Sequence, residues 1–436
     1  MVEILPNGLA LSLSQDGTHY VVTSETRSEL SHIEIPAFHN GIPITHIREC
    51  SFYNCPNLTD LTVPGSIRSM GYTWLSKNHD GINVRLCDGL TEINEFTFNG
   101  DSSLKSIIIP DSVTDIPDFA FATCRNLERV RLSENIETIK SYSFLLCEKL
   151  EHIELPQKTE TIELCAFSRC SSLKRLPDLT YVRYLGYEAF SYCTSLTEIV
   201  IPGNIDHIGG SAFSGCTSIE HIELCEGVTK IGSYAFKDCT SLESIIIPES
   251  VEFIGEGAFE GCSSLKNVVF IGGEVKIEKH AFFGCPICED SIFPGYIGSC
   301  SLKDVLDVSE LVSVTLSEKT TKIGPHIFCG CGKLENITLP QSLKEIGETA
   351  FYRCISLRKL LLPQGVEIIR FEAFHSCARL SDLTIPDSIK EIGRSAFSRC
   401  YALRTLKYTG TKAQWEEVKK EFLTDDECCI SNIRFC

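Results

Sequence analysis

Apolar and polar residues follow one another along this chain in a frame that repeats every 23 residues. Sixteen positions lie 23 residues apart between Cys55 and Cys400, and cysteine occupies thirteen of them. Phenylalanine lies three residues before fourteen of these positions, and isoleucine lies eight residues before thirteen of them. No insertion interrupts the phase. A repeat of this period predicts a solenoid, in which each repeat forms one coil and stacks on the next.

One regular unit, Leu242–Ser264, shows which elements each coil contains. It reads LESIIIPESVEFIGEGAFEGCSS. Its first half predicts a short strand, because Ile245 and Ile247 alternate with residues that point to the opposite face. Pro248 ends this strand, since proline cannot donate to a continuing ladder. Stacked coils are therefore expected to pair these strands in parallel.

The second half of the unit predicts a compact bend. Ala258, Phe259 and Cys262 lie at the spacing of one helical turn, which favours a short helical or 3-10 segment. Stacking buries the leucine, isoleucine, phenylalanine and cysteine of every coil as one continuous core. The predicted fold is a mainly β solenoid superhelix of the α/β type with about sixteen 23-residue coils.

The consensus LxxIxIPxxVxxIGxxAFxxCxx resembles the BspA-type (Treponema-like) family of bacterial leucine-rich repeats. The resemblance covers roughly residues 30–408, and the AF-x-x-C signature is its most specific part. It implies a curved solenoid with a parallel β-sheet on the concave face. Members of this family are often surface proteins or adhesins that bind other proteins or cells, so the resemblance also implies a binding function.

The repeat frame divides the chain into a cap, a solenoid and a second cap. Residues 1–29 predict an N-terminal β-hairpin cap, because alternating leucines precede a turn at 15–18 and a second apolar run. Residues 30–408 form the solenoid, with a degenerate unit at 288–310. Residues 409–436 form the C-terminal cap and tail, where Trp415, Val418 and Phe422 predict an amphipathic helix.

Composition narrows the classes of partner. The 436 residues carry a net charge of −18, which argues against general binding to nucleic acid or anionic membranes. No apolar run is long enough to span a bilayer. The first residues show no signal peptide or anchor, so the sequence predicts a cytoplasmic protein, whereas the family resemblance allows a surface or secreted one if a leader was removed.

The 23 cysteines allow two interpretations. Most lie in the repeat frame, where a free cysteine fills a tight interior slot as a small, polarizable residue. The alternative is a thiol-based metal or redox protein centred on Cys285 and Cys288, a C-x-x-C pair with Cys300 nearby. Cys428, Cys429 and Cys436 lie outside the repeat, and their role stays open.

No catalytic motif appears, so we expect neither an enzyme nor a cofactor.

Sequence variety is concentrated at the third and fifth positions of each unit, which strand periodicity turns outward on the concave face. We expect a monomer that binds a protein partner through these positions. The alternative is that these residues vary as ordinary surface residues do and bind nothing. The apolar candidates, with one charged member, are Val200, Glu223, Ile246, Val269 and Ile292, and the basic candidates are Arg129, Arg131, His152 and Arg175. Carbohydrate binding would require aromatic residues at these positions, which supply none.

Overall fold

A computed structural model describes residues 2–71, 74–75, 81–287, 291–298, 300–309, 311–418 and 430–436. The chain is a mostly β solenoid of about 17 turns with little helix, as the repeat predicts. It divides into two compact units, Met1–Glu220 (unit 1) and His221–Cys436 (unit 2).

Unit 1 contains two rows of parallel strands and an N-terminal sheet. In chain order its strands are β1 Val2–Ile4, β2 Ala10–Leu13, β3 Tyr20–Val22, β4 His32–Glu34, β5 Phe38–His39, β6 Ile42–Ile47, β7 Asp60–Val63, β8 Ser69–Met70, β9 Ile82–Leu86, β10 Leu104–Ile108, β11 Asp115–Ile116, β12 Arg129–Arg131, β13 Thr138–Ile139, β14 Thr161–Ile162, β15 Tyr184–Leu185, β16 Glu198–Ile201 and β17 His207–Ile208. The first row runs β4-β7-β9-β10-β12, and the second runs β11-β13-β14-β15-β17. The predicted hairpin is present, because β2 and β3 pair antiparallel.

Unit 2 repeats the same two rows. Its elements are β18 His221–Leu224, β19 Lys230–Ile231, β20 Ser244–Ile247, β21 Phe253–Ile254, β22 Asn267–Phe270, β23 Lys276–Ile277, β24 Ile292–Phe293, α1 Leu302–Val305, β25 Ser313–Leu316, β26 Lys322–Ile323, β27 Asn336–Thr338, β28 Glu345–Ile346, β29 Lys359–Leu361, β30 Ile368–Ile369, β31 Asp382–Ile385, β32 Glu391–Ile392, β33 Thr405–Tyr408, α2 Lys412–Val418 and β34 Asn432–Phe435. We call the strand that begins each 23-residue unit its first strand. The longest described sheet of first strands in unit 2 has the order β20-β22-β24-β25-β27.

The chain end adds a strand that the sequence did not predict. Helix α2 presents a buried Trp415 to the stack, as expected, and the predicted Phe422 lies outside the described residues. Strand β34 then pairs in parallel with β33, so it covers the last open strand edge of unit 2. The predicted bounds of the two caps remain a prediction.

The AF-x-x-C segment is a series of tight turns with the i to i+3 bonds of the 3-10 form that the sequence allows, and every second amide bonds to the next coil instead. The amides of Phe121 and Thr123 donate to the carbonyls of Ser143 and Leu145 in the following coil, at 2.8 and 2.6 Å. These amides are therefore not free to bond within a helix. The intervening amides close i to i+3 turns, as Cys124 does onto Phe121 at 3.1 Å.

In the regular coils that the structure describes, the alternation of bonds requires left-handed backbone at two positions. In one coil of unit 1 the two residues are Phe119 (φ 55°) and Thr123 (φ 60°), and in one coil of unit 2 they are Thr349 (φ 48°) and Arg353 (φ 61°). A non-glycine residue in this conformation costs on the order of 1 kcal/mol. The hydrogen bonds between coils offset that cost, which explains why these positions accept many residue types.

Buried aromatic rings stack from coil to coil behind these turns. The rings of Phe121 and Phe144 lie 5.1 Å apart at 11°, and Phe144 and Phe167 lie 5.2 Å apart at 1°. In the irregular coil near the N-terminus, Trp74 takes part in this stack, 5.4 Å from Phe98. Each ring is fully buried, so the phenylalanine of the repeat is the centre of the core.

The cysteines of the frame bond successive coils together. The thiol of Cys147 donates to the carbonyl of Phe121, 26 residues earlier, at 3.2 Å. Among the described residues the same bond is made by Cys124, Cys147, Cys170, Cys193, Cys216, Cys262, Cys285, Cys354, Cys377 and Cys400. The packing role predicted for cysteine is therefore also a directional, hydrogen-bonding one.

The coils before and after the degenerate unit at 288–310 contact each other directly, and we call this contact the shortcut. In it, the Ser317 hydroxyl donates to the Ile271 carbonyl, 46 residues away, at 2.8 Å. The amide of Gly324 bonds to the carbonyl of Gly295, 29 residues earlier, at 2.7 Å. In regular coils the equivalent amide bonds instead to the carbonyl 24 residues earlier, as Gly347 does to Ile323. Helix α1 takes up the spare residues and fills the core with Leu302 and Val305. The 23-residue register survives in the first strands, where Val269, Ile292 and Thr315 pair in turn, and it shifts only at the bend near Gly295.

This close approach generates a stability prediction. A Cβ at Gly295 would lie 2.0 Å from the Thr320 Cγ2 atom and 2.6 Å from the Lys322 carbonyl oxygen. We expect Gly295→Ala to lower the free energy of unfolding of unit 2 by about 1–3 kcal/mol, because the neighbouring backbone must move. Chemical denaturation measures the change. Gly272→Ala is the control, since its Cβ would meet nothing closer than 3.6 Å. Equal stability of the two variants would contradict the shortcut.

Candidate interaction surface

The first-strand row of each coil turns its third and fifth residues to solvent, as the alternation predicts. In β20 the side chains of Ile245 and Ile247 are buried, whereas Ser244 and Ile246 are exposed. We call the outward side of these strands the strand face. Side chains on this face contribute little to the core, so their identity is free to serve binding.

Three apolar candidates form a continuous row on the strand face of unit 2. Ile246 pairs with Val269, and Val269 pairs with Ile292. Ile246 is 59% exposed, and the other two are half-buried. We call these three residues the apolar row. The next strand carries Thr315 at the same position, so the apolar character ends there.

The remaining two members of the predicted set are Glu223 and Val200. Glu223 is exposed on β18 of unit 2 and is the charged member of the set. Val200 belongs to unit 1, where it is 43% exposed on β16. It lines a cavity of about 530 Å³ together with Arg175, which places one apolar and one basic candidate at the same opening.

The other basic candidates meet at a second opening in unit 1. Arg129 and Arg131 project from β12, and both line a cavity of about 890 Å³ with His152 and Lys149. The His152 ring lies 3.3 Å from the carboxylate of Glu154, so one acidic side chain offsets part of this basic character. The structure thus brings three of the four basic candidates together and places Arg175 at the neighbouring cavity.

The first-strand row of unit 1 is interrupted here. Residues 151–156 and 174–179 are not in strands, although they occupy strand positions in the frame. Pro177 stands at the fifth position of its unit, two residues before the proline that ends a regular strand. Because proline has no amide hydrogen, it removes a ladder bond in the middle of the strand. Pro177 therefore accounts for the missing strand at 174–179, one of the two coils between β12 and β16.

Sequence reasoning missed two residues of the same surface, Arg85 and Ile108. Arg85 pairs with Ile108, and Ile108 pairs with Arg131, so the three residues form one row across β9, β10 and β12. All three occupy the fifth position of their units. Applying the outward-position rule to every coil, rather than to selected coils, would have found them.

The thiols of the alternative metal or redox site are Cys285, Cys288 and Cys300. The Cys285 thiol donates to the Phe259 carbonyl at 3.1 Å, and the neighbouring Cys262 thiol together with burial raises its pKa. Cys300 is half-buried, and burial raises its pKa as well. Cys288 lies outside the described residues. In the described part of the chain, no group of three or more His, Cys, Asp or Glu side chains could hold a metal ion.

The tail thiols are separated from that region in sequence. Cys436 is exposed, and its thiol lies 3.8 Å from the carbonyl oxygen of Arg434. Cys428 and Cys429 lie outside the described residues. Within the described ranges, no helix has the length and apolar character needed to cross a membrane.

Comparison with known proteins gives a consistent result. A family model described as the BspA type leucine rich repeat region matches residues 45–174, 183–303 and 303–418. A leucine-rich repeat protein from Bacteroides ovatus is 24% identical, with 99% of this chain and 100% of that chain covered and a TM-score of 0.55. A leucine rich cell surface protein from Faecalibacterium prausnitzii is also 24% identical, with 96% and 97% covered and a TM-score of 0.33. The comparison with curated proteins found no match. The first of these structures supports the fold alone.

The thiol environment generates a prediction about reactivity. Fourteen described cysteines are buried, and burial raises the pKa of Cys170, Cys216 and Cys331 to about 12. Because only the thiolate reacts, we expect these fourteen to resist a disulfide reagent at pH 8 until the protein unfolds. Thiol counts before and after denaturation, with metal analysis of the same sample, measure this. Cys436→Ser should remove one fast-reacting thiol. Rapid reaction of the Cys285 thiol in the folded protein, or bound metal released with it, would favour the thiol-based alternative.

Proposed function

Because the chain belongs to the BspA-type leucine-rich repeat family, we propose that it is a non-enzymatic scaffold that binds a partner protein through the strand face. The family is generally non-enzymatic, and its repeat is a binding scaffold. A monomer without a cofactor suffices for this role. The partner contacts side chains that the repeat leaves variable, while the buried frame keeps those side chains in register.

The apolar row is the observation that carries the proposal. A regular strand sheet has no structural need for Ile246 at a position that is 59% exposed. Two more apolar side chains follow it on adjacent strands, which lie about 4.8 Å apart. Burying a side chain of this size against a partner contributes roughly 1.5–3 kcal/mol. A contiguous apolar strip bordered by polar residues is typical of a protein-binding site.

The basic candidates extend the proposal to unit 1. Arg129, Arg131, His152 and Arg175 lie at openings of the strand face, where a partner side chain can enter. Arginine is common at binding hot spots because its planar group makes several directed bonds. The proposal therefore includes two contact areas of different chemistry, one in each unit.

An adhesin-like role at the cell surface is the specific form that the family favours, since BspA-type proteins are often surface or secreted. We propose it as the first location to test. Fractionation of the producing cells, followed by detection of this chain in each fraction, decides between the surface and the cytoplasm. Recovery only from the cytoplasm would remove the adhesin-like form and leave the scaffold.

The binding proposal predicts a selective effect of charge on the apolar row. We expect Ile246→Lys with Val269→Lys to weaken the affinity for the captured partner by at least about tenfold, because two apolar contacts become charged. Capture with the intact chain identifies the partner, and calorimetry with the purified pair measures the affinity. Thermal unfolding should be unchanged, since both side chains point outward.

The matched control places the same charges elsewhere on the same face. Thr338 on β27 and Thr384 on β31 occupy the fifth position of their 23-residue units and face outward. Thr338→Lys with Thr384→Lys should bind the partner as the unaltered chain does. Equal affinity of all three proteins would exclude the apolar row as the site.

A further inference from the structure

Three arginines on the strand face of unit 1 have no described ion-pair partner. Arg85, Arg129 and Arg131 have no carboxylate of the described residues within 4.0 Å of their guanidinium groups. Several other cations of this region are paired, namely Lys105 with Glu128, Arg125 with Glu148 and Lys174 with Glu151. In a chain with a net charge of −18, three arginines without a direct ion pair lie together on neighbouring strands and are available to a negatively charged ligand.

The three arginines surround one exposed apolar side chain. Ile108 lies between Arg85 and Arg131 in the register of β9, β10 and β12, and it is 38% exposed. Strand spacing puts the backbones of Arg85 and Arg131 about 10 Å apart, and Arg129 lies about 7 Å from Arg131 along β12. We call Arg85, Ile108, Arg129 and Arg131 the arginine site.

Cavities flank the arginine site on both sides. One, of about 890 Å³, is lined by Ile108, Arg129 and Arg131, and the other, of about 350 Å³, is lined by Arg85, Ile108 and Arg131. A bound segment can therefore place side chains beside the arginines as well as above them. The openings also keep the guanidinium groups accessible rather than packed against the protein.

We propose that the arginine site binds a short, extended acidic segment of a partner protein. The carboxylates of the segment bind Arg85, Arg129 and Arg131, and an apolar residue between those carboxylates covers Ile108. This inference rests on the proposed protein-binding function and adds the chemistry of the partner. Guanidinium groups suit this task because they bind carboxylates through two parallel hydrogen bonds.

The surroundings favour a short acidic peptide over a long polyanion. Asp88 and Asp111 line the smaller cavity, and Glu128 and Glu151 line the larger one. These carboxylates border the arginine site and would repel a charged chain that continued past it. Nucleic acids need a long positive surface for phosphate contacts, which three arginines do not provide. The apolar centre at Ile108 also matches a peptide side chain rather than a sulfated sugar.

The test uses a defined probe and the full chain. The probe is a fluorescein-labelled peptide, Asp-Glu-Leu-Glu-Asp, and its binding is followed by fluorescence anisotropy at low and at physiological salt. We expect saturable binding that weakens with salt, and no binding of the matched peptide Asn-Gln-Leu-Gln-Asn, because the attraction is between charges. We expect Arg85→Ser and Arg131→Ser each to weaken binding about tenfold, the loss expected for one charge-assisted pair.

Two controls separate charge at this site from charge in general. Arg183→Ser removes a cation whose guanidinium lies 3.9 Å from the Glu160 carboxylate, and Arg125→Ser removes one paired with Glu148. Both variants should bind the peptide as the unaltered chain does. A sulfated oligosaccharide and a single-stranded oligonucleotide serve as rival ligands. Tighter binding of either rival, or equal binding by all the variants, would overturn the proposal.

The outcome is distinguishable from that of the broader function. If the acidic peptide does not bind but the captured partner still depends on Ile246 and Val269, the arginine site is wrong and the scaffold stands. If the peptide binding depends on Arg85 and Arg131 while lysines in the apolar row have no effect on the partner, the arginine site stands and the apolar row is wrong. Failure of both experiments overturns both proposals.

Discussion

The hydrogen bonds from each coil to the next are the constraint on which the rest of this molecule depends. A 23-residue coil cannot bury its own apolar side chains, so it is stable only against a neighbour. Three kinds of bond fix that neighbour in place: the strand ladders, the alternate amides of the AF-x-x-C turns, and the cysteine thiols, such as that of Cys170 onto the Phe144 carbonyl at 3.2 Å. All three require the same period, which is why the frame tolerates no insertion.

Because the buried residues hold the coils together, the side chains of the strand face are free to vary and to bind a partner. Inward positions are mostly apolar, chiefly leucine, isoleucine, valine, alanine, phenylalanine and cysteine, whereas the outward strand positions range from Ile246 to Arg129. Where a coil departs from the frame, the effect stays local. Pro177 interrupts one strand and lines the cavity beside Val200, and helix α1 takes up the spare residues of the shortcut at 288–310. The candidate surfaces are therefore consequences of exceptions to, and freedoms within, one repeat.

The sequence predicted the frame, the strands and the N-terminal hairpin because each has a periodic signal. It did not predict the turn geometry, because spacing alone cannot distinguish a helical turn at Phe121 from amides that point to another coil. The bond from Cys147 is invisible to periodicity for the same reason, since its acceptor lies 26 residues away. Strand β34 lacks any repeat signal. Arg85 and Ile108, by contrast, lay within reach of the outward-position rule.

The central claim is that partner proteins bind to the strand face, and site-specific photo-crosslinking tests it most directly. A photoreactive phenylalanine analogue is placed at Ile246 on the strand face, or at the exposed Glu256 in the turn segment of the same coil. The account predicts that the captured partner crosslinks to position 246 and not to position 256. Crosslinking at position 256 alone would contradict it.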